Sequence, residues 1–242
     1  MNVALIGYGK MGKAIEAIAV QKGHNVNLKI DIDNLDELTN ENLKKSDVAI
    51  EFTTPENAVK NILQCFDAGI PVVCGTTGWL RRLEAVKEVC GQKNGTFLTT
   101  TNFSIGVNIF FEINKFLAGL MSHQNEYDVS LEEIHHTEKK DSPSGTAITL
   151  AEQILQQIQR KKQWVNNQSS DPKDLEIISK RIDPVAGTHK VKYTSSVDDI
   201  EIIHTANNRQ GFAKGAVLAA EFLQGKKGIF TMKDVLGFLK RL

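Results

Sequence analysis

The chain has 242 residues, 41% hydrophobic and 24% charged, the make-up of an ordinary globular protein with one large core or two modest ones. Lys plus Arg and Asp plus Glu stand at 29 each, so charge gives no reason to expect nucleic acid or an anionic membrane surface as partner. No apolar run approaches the ~20 residues of a membrane span.

Val3-Ala4-Leu5-Ile6, with Asn2 ahead of it, is the continuous apolar run of a strand buried on both faces of a parallel sheet. Gly7-Tyr8-Gly9-Lys10-Met11-Gly12 follows at once, and Met11, Ala14, Ile15, Ile18 and Ala19 then repeat as one face of a helix. Strand, G-x-G-x-x-G, helix is the context of a dinucleotide-binding turn: glycines permit a tight turn and close backbone approach, and the helix N-terminus offers N–H groups to a pyrophosphate. The next strand spans 24–30 and Asp31 stands just past it. An acid there, roughly 20 residues after the glycine turn, accepts hydrogen bonds from the adenosine ribose and favours NAD over NADP. Asp33 is a rival for that role, Lys29 softens the discrimination, and either acid also suits a solvated turn.

Strands at 47–52, 71–74 and 96–99 alternate with helices from Pro55 and from Leu80, Thr54 serving as N-cap of the first. Such alternation predicts an α/β domain with a right-handed, doubly wound parallel sheet, whose ligands lie outside the carboxyl ends of the strands. The loops Gly7–Gly12, Phe52-Thr53-Thr54, Gly75-Thr76-Thr77-Gly78 and Thr100-Thr101-Asn102-Phe103 therefore converge on one edge, suited to a nicotinamide dinucleotide.

After Ser104 the pattern changes. A long apolar helix over 107–122 is followed by a strand at 129–134, a polar loop, and a helix over 147–161. Residues 162–173, with Asn166-Asn167-Gln168-Ser169-Ser170-Asp171-Pro172, read as an exposed mobile loop. Strand-like runs at 176–179, 187–195 and 201–205 lack intervening helices and predict an open, mixed or antiparallel sheet. Helices over 214–223 and 233–239 read as covering helices of the first domain. The organisation is a Rossmann-type domain of residues 1–103 plus 210–242, interrupted by an α+β substrate domain at 104–209, with hinges near Ser104 and Arg209.

The polar loop holds the densest chemistry: Glu133-Ile134-His135-His136-Thr137-Glu138-Lys139-Lys140-Asp141-Ser142-Pro143-Ser144-Gly145-Thr146. Four readings compete. Metal ligation is disfavoured because neighbours on a strand face opposite ways and no third His or Cys lies nearby. A satisfied core histidine beside an exposed one is the plain reading. A nucleophile–base pair with Ser142 or Ser144 lacks an acidic orienter. Recognition of a dianionic small molecule is favoured by the charges of Lys139 and Lys140 and by hydroxyls and N–H groups of Ser144-Gly145-Thr146 at a helix start. Gly145 admits close approach, His136 adds a hydrogen bond, and a Lys or His beside the reacting centre supplies a proton after hydride arrives. A dinucleotide domain together with a carboxylate-binding loop is the layout of a reductase.

This loop closely resembles the signature of the dihydrodipicolinate reductase family, and the blocks at 7–12, 52–56, 75–78 and 102–108, with Arg209, Phe212, Ala213, Gly215 and Ala216 in the tail, resemble its other motifs in order. The resemblance implies reduction of 4-hydroxy-tetrahydrodipicolinate to tetrahydrodipicolinate with loss of water, in lysine and diaminopimelate biosynthesis, by a cytoplasmic homotetramer using NADH or NADPH. It implies a catalytic His135, a proton-donating Lys139, substrate contacts at His136, Lys140, Ser144, Gly145 and Thr146, and cofactor contacts at Gly7–Gly12, Gly75–Thr77 and Thr100–Phe103. Thr100 and Thr101 depart from the small apolar or Pro residues of many relatives. Cys65, Cys74 and Cys90, odd in number and without metal spacing, read as reduced thiols of a cytosolic protein, and the early stop of the N-terminal apolar run at Gly7 argues against a signal peptide. Alternatives are another amino- or keto-acid dehydrogenase, or a dinucleotide sensor without catalysis; Lys139 and His135 speak against the latter.

Overall fold

The computed structural model describes residues 1–208 and 210–238. The elements in chain order are β1 (Asn2–Ile6), α1 (Lys10–Gln21), β2 (Asn25–Ile30), a 3-10 turn at Ile32–Glu37, α2 (Asn40–Leu43), β3 (Val48–Glu51), α3 (Pro55–Ala68), β4 (Val72–Cys74), a 3-10 turn at Leu80–Arg82, α4 (Leu83–Gln92) and β5 (Thr96–Thr99). Then come α5 (Ile105–Met121), β6 (Asp128–His135), α6 (Gly145–Gln157), β7 (Gln163–Val165), β8 (Asp174–Arg181), β9 (Gly187–Thr194) and β10 (Asp199–Ala206). The chain closes with α7 (Gln210–Leu223), β11 (Gly228–Phe230) and α8 (Met232–Leu236). Two compact units emerge, one of Met1–Ile105 with the described residues from Gln210 onward, the other of the described residues between.

In the first unit the strands run in the order β11-β5-β4-β3-β1-β2, every pairing parallel. The order reverses between β1 and β3, which is where doubly wound sheets bind ligands. Unbroken apolar strands are required because both faces are covered. Val59, Ile62, Phe66 and Val86 from α3 and α4 pack on one face. Ile15 and Ala19 of α1 with Ala216, Val217 and Ala220 of α7 pack on the other. The small residues of α7 let it lie close: a Cβ at Gly215 would stand 1.8 Å from the carbonyl oxygen of Phe103.

The second unit is a mixed sheet in the order β10-β9-β6-β8-β7, backed by α5 and α6 through Phe110, Phe111, Leu150 and Ile154 against Leu131, Ile177 and Tyr193. Alternation of buried and part-buried residues along β6 and β9 marks a sheet with one face on this core.

Several boundaries differ from the sequence expectation, each for a tertiary reason. Gly228–Phe230 was not expected as a strand; three residues carry too little pattern, and pairing with β5 makes it one. The polar stretch 162–173, expected to be a mobile loop, contains edge strand β7, with Trp164 opposite Leu175. Its polar groups are satisfied locally: Ser169 N–H donates to Glu176 at 2.7 Å and Gln163 to Asp174 at 2.9 Å. The helix expected to run to Lys161 stops at Gln157, because Lys161 turns inward to the Asp174 carbonyl at 2.7 Å. Thr54 caps α3 by its extended backbone and not by a side-chain hydrogen bond. The expected hinge at Arg209 and the last residue of the expected closing helix, Leu239, lie outside the described residues.

Candidate active site

At the carboxyl end of the first sheet, Gly9, Lys10, Met11, Gly12, Phe52, Thr53, Pro55, Gly75, Thr76 and Thr77 line a cavity of about 360 Å³. Its walls are three strand-to-helix loops, and their glycines are dictated by packing. Gly7 has φ +95°, and a Cβ there would stand 2.0 Å from the Phe52 carbonyl oxygen. A Cβ on Gly12 would stand 2.3 Å from the Gly7 oxygen, and one on Gly75 would strike the Phe52 ring at 2.0 Å. A Cβ on Gly9, the N-cap of α1, would meet nothing, so that glycine faces open space at the helix N-terminus. A cradle of this shape fits a pyrophosphate.

Glu51, at the end of β3, is fully buried beneath these loops and was not singled out by the sequence. Its carboxylate accepts the Thr53 N–H at 3.2 Å, the Thr53 hydroxyl, and the Cys74 thiol at 3.0 Å. Thr53 N–H also donates to Thr76 Oγ1 at 2.7 Å, and the Trp79 indole N–H braces the Thr76 carbonyl at 2.8 Å. One carboxylate thus ties the second and third loops together. Burial, then the neighbouring Glu51 charge, pushes the Cys74 thiol pKa up, so Cys74 stays a neutral donor.

Asp31 immediately follows Ile30, whose carbonyl accepts the Gly7 N–H at 2.9 Å, so it adjoins the glycine turn. Its Oδ1 accepts the Ile32 N–H at 2.9 Å. Asp33 lies further on, exposed in the 3-10 turn. Lys29 Nζ is held by Glu16 at 3.0 Å and lies 5.2 Å over the Tyr8 ring, while Tyr8 donates its hydroxyl to the same Glu16. The turn at 100–103 is ordered by its own side chains: Asn102 N–H donates to Thr100 Oγ1 at 3.2 Å, Thr101 is exposed, and the buried Phe103 packs on Phe52 with ring centroids 5.8 Å apart.

In the second unit β6 carries the site. Glu133 and His135, two residues apart, point to the same face of the sheet. Pairing then sets their neighbours: Glu133 lies opposite His189 on β9 and Ser179 on β8, and His135 opposite Arg181. Glu133 is fully buried, and its carboxylate accepts the Ser144 N–H at 3.1 Å to each oxygen, the Ser179 hydroxyl at 2.8 Å and Arg181 Nη2 at 3.3 Å. Burial alone would raise the Glu133 pKa; the Ser144 and Ser179 hydrogen bonds and His135 outweigh it and hold it below the usual carboxylate value.

The rings of His135 and His189 meet edge to face, centroids 5.0 Å apart. His135 Nδ1 lies 3.4 Å from Glu133 Oε2 but without hydrogen-bond alignment, and both Nδ1 atoms are buried without a partner. Burial pushes the His135 pKa down to about 4, with the Glu133 charge opposing and Lys139 and Arg181 adding to the shift. Burial, then His135, pushes His189 down to about 3. At neutral pH both rings are uncharged. The unfolded chain takes up protons near pH 6.5 that the folded chain refuses, so these residues favour folding fully above that pH and lose the contribution as pH falls toward 4 and then 3. The urea midpoint is expected to be flat above about pH 7 and to fall steadily below about pH 6.5, by several kcal/mol in stability in all. A midpoint unchanged from about pH 7 to pH 5 would contradict this.

The sequence offered no third ligand near His135 and His136 for a metal. The sheet supplies a different group: one atom each of Glu133, His135 and His189 lie within 4.8 Å of one another. Arg181 beside Glu133 and the donors already filling its carboxylate work against a cation there.

Beyond His135 the loop rises to the surface. Lys139 Nζ binds the Asp141 carboxylate at 2.7 and 2.9 Å, and this ammonium holds the Asp141 pKa down against the effect of burial. His136 is half-buried and Lys140 exposed. Ser144, expected to present its hydroxyl to a ligand, is turned inward: Oγ caps α6 by accepting the Ala147 N–H at 3.2 Å and lies 3.1 Å from His189 Nε2. Gly145 begins α6 exposed, with open space where a Cβ would stand, and Thr146 follows it in the first turn. Glu133, Arg181 and His189 are the residues sequence reasoning missed, since only the strand register brings the latter two to the loop.

The family model described as "Dihydrodipicolinate reductase, N-terminus" matches residues 1–103, and that described as "Dihydrodipicolinate reductase, C-terminus" matches 106–236. A protein of Christiangramia forsetii named 4-hydroxy-tetrahydrodipicolinate reductase is 52% identical over 99% of each chain. One of that name from Neisseria meningitidis serogroup B is 34% identical over 93% of this chain and 85% of its own. Among solved structures, a dipicolinate-bound dihydrodipicolinate reductase from Paenisporosarcina sp. TG-14 shares the fold, with a TM-score of 0.78 at 22% identity over 96% of this chain and 97% of its own. An amine dehydrogenase from Mycobacterium smegmatis shares it more distantly, at a TM-score of 0.63 and 10% identity over 95% of this chain and 94% of its own. The chain belongs to the dihydrodipicolinate reductase family.

Proposed function

We propose that this protein reduces 4-hydroxy-tetrahydrodipicolinate to tetrahydrodipicolinate with NADH or NADPH, in lysine and diaminopimelate biosynthesis. Family membership and the full-length likeness to named reductases support the reaction. The observation that carries the site assignment is the single loop from His135 to Thr146, where the partly exposed Lys139 ammonium, which already binds a carboxylate, precedes the exposed Gly145 at the start of α6.

Gly7, Tyr8, Gly9, Lys10, Met11 and Gly12 would hold the pyrophosphate end of a nicotinamide dinucleotide, and Phe52, Thr53, Gly75, Thr76, Thr77 and the turn Thr100-Thr101-Asn102-Phe103 would hold the remainder; when bound, it would supply the hydride. The net change takes one hydride and one proton into the substrate and releases one water. Lys139 delivers the proton, because the buried His135 ring is held neutral and has none to give. His135 therefore acts as a neutral hydrogen-bonding group beside the reacting centre. The backbone N–H groups of Gly145 and Thr146, at the positive end of α6, bind one carboxylate, and His136 and Lys140 add donors to the dianion. Ser144 serves this set from behind, capping the helix and holding Glu133.

Asp31 sets the cofactor preference toward NADH by accepting from the ribose hydroxyls, and Glu16 restrains Lys29, a nearby cation that would favour a 2′-phosphate. We place the enzyme in the cytoplasm, consistent with three buried free thiols. Among the described residues no helix is long and apolar enough to cross a membrane. We assign it a homotetrameric state, supported by exposed Ile109, Ile113, Phe116 and Leu120 at helical spacing on α5 and by Ile203 on edge strand β10. Steady-state assays with the cyclic substrate test the reading: turnover is expected with both dinucleotides, kcat/KM is expected to be higher with NADH, and Asp31→Ala is expected to narrow the gap. Absence of turnover with either dinucleotide would overturn the reaction assignment, and equal efficiency would remove Asp31 as the gate.

A further inference from the structure

We propose that Arg181 is a positioning residue for this reaction: from the end of β8 it holds the loop carbonyls of Lys139 and Asp141 and the carboxylate of Glu133 together, and so fixes where the Lys139 ammonium stands. The inference rests on the reading of Lys139 as proton donor.

Every part of the guanidinium is used. Nε donates to the Lys139 carbonyl at 3.4 Å, Nη2 to the Asp141 carbonyl at 2.7 Å and to Glu133 Oε1 at 3.3 Å, and Nη1 to the Lys180 carbonyl at 2.8 Å. The first two bonds hold the backbone at and just after the proton-donating residue, one on its own carbonyl and one two residues on. The third anchors them to a fully buried carboxylate. That same carboxylate holds the Ser144 N–H at the start of α6. Arg181 and Glu133 thus join the ammonium-bearing loop and the carboxylate-binding helix start into one hydrogen-bonded body. Other ties of the loop run to exposed side chains or within the loop itself: the Thr137 N–H, at 3.1 Å, and hydroxyl to the exposed Asp183, Lys139 N–H to the His136 carbonyl at 3.2 Å, Lys139 Nζ to Asp141, and Asn166 to the Ser142 hydroxyl at 3.0 Å. A proton donor misplaced by about 1 Å loses on the order of 100-fold in rate, so a clamp on its backbone has kinetic consequences. The planar fork is essential, since an ammonium on a flexible stem cannot satisfy two carbonyls and a carboxylate in one plane.

Removing Arg181 alone leaves the Glu133 charge buried and underpaired, which destabilises the fold whatever happens to catalysis. The double variant Glu133→Gln with Arg181→Met removes both charges and keeps the loop carbonyls unheld, so it separates the two effects. The experiment uses the full chain and compares Arg181→Lys, Arg181→Met and the double variant for kcat, KM for NADH, thermal midpoint, and hydrogen exchange over residues 137–144. In Arg181→Lys and the double variant, kcat is expected to fall on the order of 100-fold with KM for NADH unchanged, and the loop amides are expected to exchange faster. The double variant is expected to recover thermal stability lost in Arg181→Met without recovering turnover. Wild-type turnover in the double variant, or wild-type exchange over 137–144 in Arg181→Lys, would overturn the proposal. Lys139→Ala measured alongside keeps the two readings apart. Its loss of turnover with full turnover in the double variant sinks the Arg181 proposal alone; its retention of turnover sinks the proton-donor reading and the catalytic role of the clamp with it.

Discussion

Lys139→Ala is expected to lower kcat by ~10²- to 10⁴-fold while leaving NADH affinity close to that of the parent, because it removes the proposed proton donor and changes none of the residues lining the dinucleotide cavity. His135, His189 and Asp141 offer no substitute. His135 is held neutral by burial, with a pKa of about 4, and its partner His189 is lower still, at about 3. Asp141, which accepts two hydrogen bonds from Lys139, is a carboxylate held below its ordinary pKa and carries no proton at pH 7. Its loss of a counter-ion is a surface event, worth no more than about 1 kcal/mol in stability. The thermal midpoint should therefore hardly move while turnover collapses. Substantial turnover in the variant would mean that another group delivers the proton.

Gly7→Ala should act on the other half of the chemistry, abolishing measurable NADH binding at ordinary concentrations and lowering stability by roughly 3 kcal/mol. Two costs add. The backbone at φ +95° is one that a residue with a Cβ rarely adopts, and the new carbon would stand 2.0 Å from the carbonyl oxygen of Phe52. Relief requires the glycine turn to move away from the Phe52–Thr53 loop, and Glu51 locks that loop from beneath. Gly9→Ala is the internal contrast: its Cβ would meet no protein atom, so the fold should survive and only close approach of the dinucleotide should suffer. The pair is read by thermal melts and by fluorescence titration with NADH. Equal stability of the two variants would refute the packing argument.

The first unit was legible wherever one residue type answers one physical demand. An apolar run that ends in glycines, followed by helical spacing, admits few structures, and β1, the turn and α1 stand where the pattern put them. The short elements were not legible. Gly228–Phe230 is a strand only because β5 offers it a partner, and Gln163–Val165 only because β8 does. In the second unit the loop residues His135, His136, Lys139 and Lys140 were visible as a crowd of charge. Their support was not, because register is tertiary information: Glu133 meets His189 and His135 meets Arg181 only once β6, β8 and β9 pair. Ser144 shows the same gap in miniature. Its type and place at a helix start suit either ligand binding or capping, and the buried carboxylate of Glu133 together with His189 decides for the inward role.

In the proposed function, the loop from His135 to Thr146 binds the dicarboxylate of a cyclic substrate for reduction by NADH. The most direct test of this is inhibition by pyridine-2,6-dicarboxylate, a planar dianion that cannot be turned over, followed through NADH oxidation at varied substrate. Competitive inhibition against the cyclic substrate, weakened in Gly145→Val, is the expected result. Unaltered turnover at saturating pyridine-2,6-dicarboxylate, or inhibition that competes with NADH in place of the substrate, would contradict the account.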